Sequence, residues 1–173
     1  VRFTATPSDA EADALAYFWD FGDGTFGTNG ATASKSWSTT GDYLVRCTVT
    51  DMKGGTATDS VAVKVGSATT YRLTGSVTRD GVPLSGVRVF TSNTKLTYTD
   101  SDGTYILPGM TAGSFTLRAQ ADGLLFTRSF TNPVVVNRNL TNLNFTGSLP
   151  GDLETAILVP AGAEWRFDDS GIN

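Results

Sequence analysis

Tyr17-Phe18-Trp19-Asp20-Phe21-Gly22-Asp23-Gly24 reads as a strand that runs into a tight turn. Tyr17, Trp19 and Phe21 fall on one face of a period-two pattern, with Phe18 and Asp20 on the other. Gly22 and Gly24 tolerate positive φ, and Asp23 between them can bond nearby backbone N–H groups. The face carrying Tyr17, Trp19 and Phe21 is the candidate core, and Trp19 is assigned to it.

The same alternation recurs along the chain. Residues 43–49 alternate, and Val61, Val63 and Val65 alternate against Ala62 and Lys64. Tyr71, Leu73 and Val77 follow, then Phe115, Leu117 and Ala119, then Leu143 and Phe145. Turn signals separate the runs, among them Thr40-Gly41-Asp42, Lys53-Gly54-Gly55, Arg79-Asp80-Gly81 and Asp122-Gly123. Short strands at this spacing predict an all-β chain of sandwich type. One segment competes: Ser8-Asp9-Ala10-Glu11 has the form of a capping box, but the strand at Tyr17 leaves room for a single helical turn at most.

The 173 residues suffice for one ordinary domain or two small ones. Gly66-Ser67-Ala68-Thr69-Thr70 is small and polar and divides the chain into units at 1–66 and 71–147. A linker of this length predicts a restricted relative orientation. A second boundary falls near Gly147-Ser148-Leu149-Pro150-Gly151, leaving 150–173 as a β tail or the start of a further domain. There Ile157-Leu158-Val159-Pro160 and Glu164-Trp165-Arg166-Phe167 read as strands. The chain begins at Val1 without a methionine or a signal peptide and is expected to be a piece of something larger.

Composition excludes whole classes of function. There is no histidine, so Ser-His-Asp and Cys-His catalysis and imidazole-bound zinc are ruled out. The net charge of −4 disfavours nucleic acid, which needs a basic stripe. No apolar run reaches the roughly 18 residues of a membrane span. The single cysteine, Cys47, shares a face with Tyr43, Val45 and Val49 and is read as a small core residue. Carboxylate pairs survive the filter, but Glu11/Asp13 and Asp168/Asp169 have no apolar pocket nearby to raise one pKa. The chain is therefore read as non-catalytic.

Residues 17–24 contain Trp-Asp-Phe-Gly-Asp-Gly, and Gly41-Asp42-Tyr43-Leu44-Val45-Arg46-Cys47-Thr48-Val49-Thr50-Asp51 follows. Together these resemble the polycystic-kidney-disease (PKD) domain, whose members are immunoglobulin-like sandwiches of extracellular proteins. Cys47 stands where that family favours leucine, and Lys35-Ser36-Trp37 where it often has a histidine. The segment 75–89, the run Thr99-Asp100-Ser101-Asp102-Gly103-Thr104-Tyr105 and Gly113-Ser114-Phe115-Thr116-Leu117 resemble carboxypeptidase regulatory-like domains. Those are prealbumin-like, that is transthyretin-like, sandwiches that accompany peptidases and surface proteins without being catalytic. A hairpin at Asp102-Gly103 is expected to place Tyr105 in the core.

Two sets of candidate binding residues follow. Asp9, Glu11 and Asp13 alternate ahead of the signature, with Asp20 and Asp23 beyond, and clustered carboxylates suit a hard cation. Ala14 occupies the place where an EF-hand needs glycine. Calcium-binding members of the PKD family use acids of this loop and of the signature. By that resemblance Ser8, Asp9, Asp13 and Asp20 are the candidate calcium ligands, and calcium is the one candidate cofactor. The alternative is a solvated acidic loop in which Asp20 and Asp23 bond turn N–H groups. The second set is aromatic: Phe18, Phe26, Trp37, Phe90 and Trp165 are candidates to stack on sugar rings or pack on fibrous protein, against core packing as the alternative. An edge strand is a further route to a partner, although the sequence does not identify which strand is the edge.

The resulting expectation is a tandem of two β-sandwiches, immunoglobulin-like then prealbumin-like, from a large bacterial protein that is secreted or on the cell surface. It would space, orient and dock a neighbouring peptidase or glycosidase domain on polymeric substrate. The alternative is an adhesion or carbohydrate-binding module without an enzyme. Expected partners are neighbouring domains of the parent chain and an extracellular protein or polysaccharide.

Overall fold

Trp19, Phe21, Val45, Cys47 and Val49 are buried together because their strands are pleated and alternate residues face one side. They belong to a computed structural model that describes residues 1–11, 13–67 and 69–151. The first unit contains β1 (Arg2–Thr4), β2 (Ala16–Asp20), β3 (Thr32–Ser34), β4 (Gly41–Thr50) and β5 (Thr56–Val65). β1 pairs with β3, and the opposing sheet runs β2-β4-β5. Phe3, Trp37 and Val63 close the first core from its margins.

Gly22 and Gly24 take φ of 71° and 80°, as the turn after β2 requires. Gly22 is also a close-approach position, since a Cβ there would lie 2.5 Å from the Leu44 carbonyl oxygen. Gly27 N donates to the Trp19 carbonyl at 2.9 Å and Trp19 Nε1 donates to the Gly30 carbonyl at 2.9 Å, so the loop after the turn folds back over the tryptophan.

The second unit comprises β6 (Tyr71–Arg79), β7 (Val82–Pro83), β8 (Arg88–Phe90), β9 (Leu96–Tyr98) and β10 (Thr104–Met110). It continues with β11 (Gly113–Phe115), β12 (Arg118–Gln120), β13 (Leu125–Arg128), β14 (Val134–Val136) and β15 (Phe145–Ser148). One sheet runs β10-β6-β15-β13 with β7 on β6, another β12-β8-β9, and β11 pairs with β14. β15 meets β6 in parallel, while the neighbouring pairs are antiparallel. A separate core gathers Leu73, Val77, Val89, Tyr105, Leu107 and Phe145, among others. The buried Tyr105 hydroxyl donates to the Leu143 carbonyl at 2.6 Å, and burial pushes its pKa well up.

Two local expectations change. Asp102-Gly103 does not close a hairpin: β9 pairs with β8 and β10 with β6, so this turn carries the chain from one sheet to another. Tyr105 is nonetheless buried. The alternating run at Phe115, Leu117 and Ala119 is not one strand either. β11 pairs with β14 and β12 with β8, with Leu117 buried at the crossing. Among the described residues there is no helix, and the Ser8–Glu11 stretch is irregular. The tail from residue 152 onward, with Trp165 and Asp168/Asp169, lies outside the described residues.

Candidate functional site

The outer face of the β2-β4-β5 sheet carries Asp20, Asp42, Leu44, Arg46, Thr48 and Ser60, which alternate with the core residues. The second sandwich docks here, with β10 lying against β4 and β5. Asp42, near the start of β4, anchors the linker end of the contact. Its side chain is 0% exposed, and Arg72 Nη2 and Nε donate to Oδ1 at 2.6 and 3.0 Å. Thr70 Oγ1 donates to Oδ2 at 3.3 Å, and Lys64 Nζ donates to the Thr70 carbonyl at 3.0 Å. The linker is therefore tied to the first sandwich from both sides.

A second cluster lies midway along β4. Arg46 Nη2 is 3.3 Å from Asp100 Oδ1 and donates to the Tyr98 carbonyl at 2.5 Å. Ser60 Oγ donates to Asp100 Oδ1 at 2.8 Å. Burial raises the Asp100 pKa, against the lowering by Ser60 and Arg46. Beside it, Ser101 N donates to the Thr58 carbonyl at 3.0 Å, and Thr58 N donates to Ser101 Oγ at 2.7 Å. Those Thr58 groups are on the free side of β5, so a turn of the second unit satisfies part of an edge strand of the first.

The acidic loop is internally bonded. Asp13 N donates to Asp9 Oδ2 at 2.5 Å, and Lys53 Nζ donates to Asp13 Oδ1 at 2.6 Å. Asp20 Oδ1 accepts from Gly22 N at 2.8 Å, and Ser8 is exposed. Among the described residues, no three His, Cys, Asp or Glu side chains gather so as to hold a metal ion. Asp23 accepts from Thr25 and pairs with Lys35 at 2.7 Å. The hydrogen bonds from Lys35 and Thr25 hold its pKa down at about 2.

The aromatic candidates separate into two groups. Phe18 and Phe26 are 53% and 59% exposed and pair with ring centroids 5.3 Å apart on the outer side of the first unit. Trp37 instead stacks on Tyr43 and packs edge-on against Phe3 and Phe21 within the first core cluster. Phe90 is half-buried under the Arg88 guanidinium, 4.2 Å from its ring centroid. Sequence reasoning singled out none of Asp42, Arg46, Arg72 or Asp100. The available signal was two charged residues, Asp42 and Arg46, on the outward face of β4, where a solvent-facing strand would serve equally well. Cys47 is buried, and burial with the nearby Asp59 carboxylate raises its thiol pKa, the opposite of what a nucleophile needs.

Residues 1–65 match the family model of the PKD domain, and residues 72–147 that of the carboxypeptidase regulatory-like domain. The chain is similar to collagenase ColA of Clostridium perfringens, with 44% identity over 66 residues, 38% of this chain and 6% of that protein. It is also similar to pre-pro-metalloprotease PrtV of Vibrio cholerae, with 42% identity over 62 residues, 35% of this chain and 6% of that protein. The match thus spans about a sixteenth of the length of these curated relatives.

Proposed function

We propose that this chain, a PKD domain followed by a carboxypeptidase regulatory-like domain, is a rigid accessory module of a large secreted bacterial protein. Its role is to hold a neighbouring catalytic domain, a peptidase or a glycoside hydrolase, at a fixed distance and angle on polymeric substrate. Domains of these two kinds are non-catalytic modules. The observation that carries the reading is the Asp42–Arg72 pair, in which two guanidinium donors meet one carboxylate oxygen and the Asp42 side chain is out of solvent. A flexible tether has no use for a buried ion pair, because desolvating two charges is expensive unless their geometry is fixed. The relatives support the setting, since both are named as proteases and the similarity covers a small part of each.

Docking on the substrate is assigned to the Phe18–Phe26 pair, whose exposed rings offer apolar area at small entropic cost. Retention on insoluble collagen, chitin and cellulose tests this. The reading expects retention on one polymer, lost in Phe18→Ser/Phe26→Ser with the melting temperature unchanged. No retention on any polymer leaves a pure spacer. Retention by a parent chain lacking any catalytic domain favours the adhesion reading. Trp37→Ala is a poor probe, because that ring belongs to the core cluster.

A further inference from the structure

We propose that the first sandwich takes an added β-strand from a partner polypeptide along the free edge of β1, and that the strand it selects carries a basic side chain facing Asp59. This rests on the docking role above but uses a different surface from Phe18 and Phe26. The three-stranded sheet β2-β4-β5 is opposed by only two strands, β1 and β3. The consequence shows on the inner face of β5: Ala57 and Asp59 are exposed and Val61 is 48% exposed, although all three point to the core side. Between β5 and β1 lies a groove of about 300 Å³ with Trp19, Val45 and Cys47 at its base.

The backbone supplies the other half of the site. Ala5 N bonds the Ala31 carbonyl and Lys35 N the Val1 carbonyl, which fixes the hydrogen-bonding register between β1 and β3. By the alternation of an antiparallel ladder, the N–H and C=O groups of Arg2 and Thr4 point away from β3, and Thr4 lines the groove. A strand added there would lay alternate side chains over Ala57, Asp59 and Val61. Val61 and Ala57 call for aliphatic residues. Asp59 calls for lysine or arginine: its carboxylate accepts only the Ser60 N–H at 2.8 Å and forms no ion pair among the described residues. This charge complementarity selects the partner.

The test uses the full 173-residue chain and a blocked Thr-Val-Thr-Lys-Thr-Val-Thr peptide, with a Glu-for-Lys control. Cys47 at the groove base is the built-in reporter, read as its rate of labelling by a disulfide reagent. The lysine peptide should slow labelling and shift the amide resonances of Arg2 and Thr4, and the glutamate peptide should bind about tenfold more weakly. Asp59→Asn should erase that preference. Val61→Arg, a change at a half-exposed position, should abolish binding without lowering the melting temperature. Equal binding of the two peptides overturns the proposal, as does unchanged Cys47 labelling at saturation. So does concentration-dependent dimerisation that protects Cys47 without peptide, which would assign the groove to a second copy. Failure on polymers with success here, or the reverse, separates this inference from the docking role of Phe18 and Phe26.

Discussion

Arg72→Ala tests whether the two sandwiches are one mechanical unit. The substitution leaves the backbone of β6 untouched, since Arg72 N still donates to Asn139 Oδ1 at 3.0 Å. It removes both donors to Asp42 Oδ1 and leaves Thr70 alone on a carboxylate whose side chain is 0% exposed. Breaking a buried ion pair from one side costs about 3–5 kcal/mol. The Arg72 side chain is 27% exposed, so water reaches part of the vacated space, and the low end, about 3 kcal/mol, applies. For a chain of this size melting as one unit, that corresponds to a fall of roughly 6–12 °C. Calorimetry should show a single transition in the parent chain, and in the variant a lower, broadened or split one. An apolar double replacement, Asp42→Val with Arg72→Met, should recover most of the loss, because it removes the stranded charge along with its partner. The reasoning is refuted if Arg72→Ala melts within a degree or so of the parent in one unchanged transition. The pair would then be a solvated contact, and the domains would keep their orientation by other means or not at all.

Gly22→Ala and Gly24→Ala separate backbone strain from collision. Both sit near φ of 70–80°, but a Cβ at Gly24 meets open space while one at Gly22 meets the Leu44 backbone. Urea denaturation should show about 1 kcal/mol lost at Gly24 and clearly more at Gly22; equal losses would refute the close approach. Asp23 predicts a pH dependence. Its pKa is held at about 2, below the ordinary 3.8, so its stabilising contribution is present above that ordinary value and is lost as pH falls toward about 2. Asp23→Asn should therefore flatten the melting temperature over that window, and a profile parallel to the parent's would refute the Lys35 contact. Millimolar calcium should leave the melting temperature unchanged, because Lys53 and the Gly22 N–H already occupy Asp13 and Asp20. A rise of several degrees reversed by a chelator would restore calcium to Ser8, Asp9, Asp13 and Asp20.

The strands were legible because alternation is local. Trp19 against Phe18, and Val45 and Cys47 against Arg46, declare their faces within a few residues, and the burial follows that pattern. What was not legible is which strands share a sheet. Phe115, Leu117 and Ala119 alternate without a break, yet Leu117 marks a crossing between sheets. Asp102-Gly103 has hairpin chemistry and joins strands that do not pair. Pairing is set by which apolar faces can close one core, a property of the whole domain. The junction was hidden for a related reason: Asp42 and Arg72 lie 30 residues apart, and each alone reads as a solvated surface charge. Trp37 and Phe18 are equivalent aromatics in the sequence, and only the packing of Tyr43 and Phe3 around Trp37 distinguishes them.

The character of the junction bears on what such a module can do. An apolar interface would hold the two sandwiches together at nearly any rotation that buried enough area, because the hydrophobic effect has no direction. The contacts here are directional. Arg72 fixes Asp42 with two donors, and Ser101 fixes Thr58 through both its backbone groups, at opposite ends of the same sheet face. Two separated, oriented attachments define an angle where one would leave a swivel. The Thr58 attachment also blunts part of the β5 edge, which as an exposed row of N–H and C=O groups would invite pairing with other chains. That leaves for strand addition the side of β1 where the N–H and C=O groups of Arg2 and Thr4 face away from β3. The contact that sets the angle between the domains thus also covers part of one edge of the first sandwich.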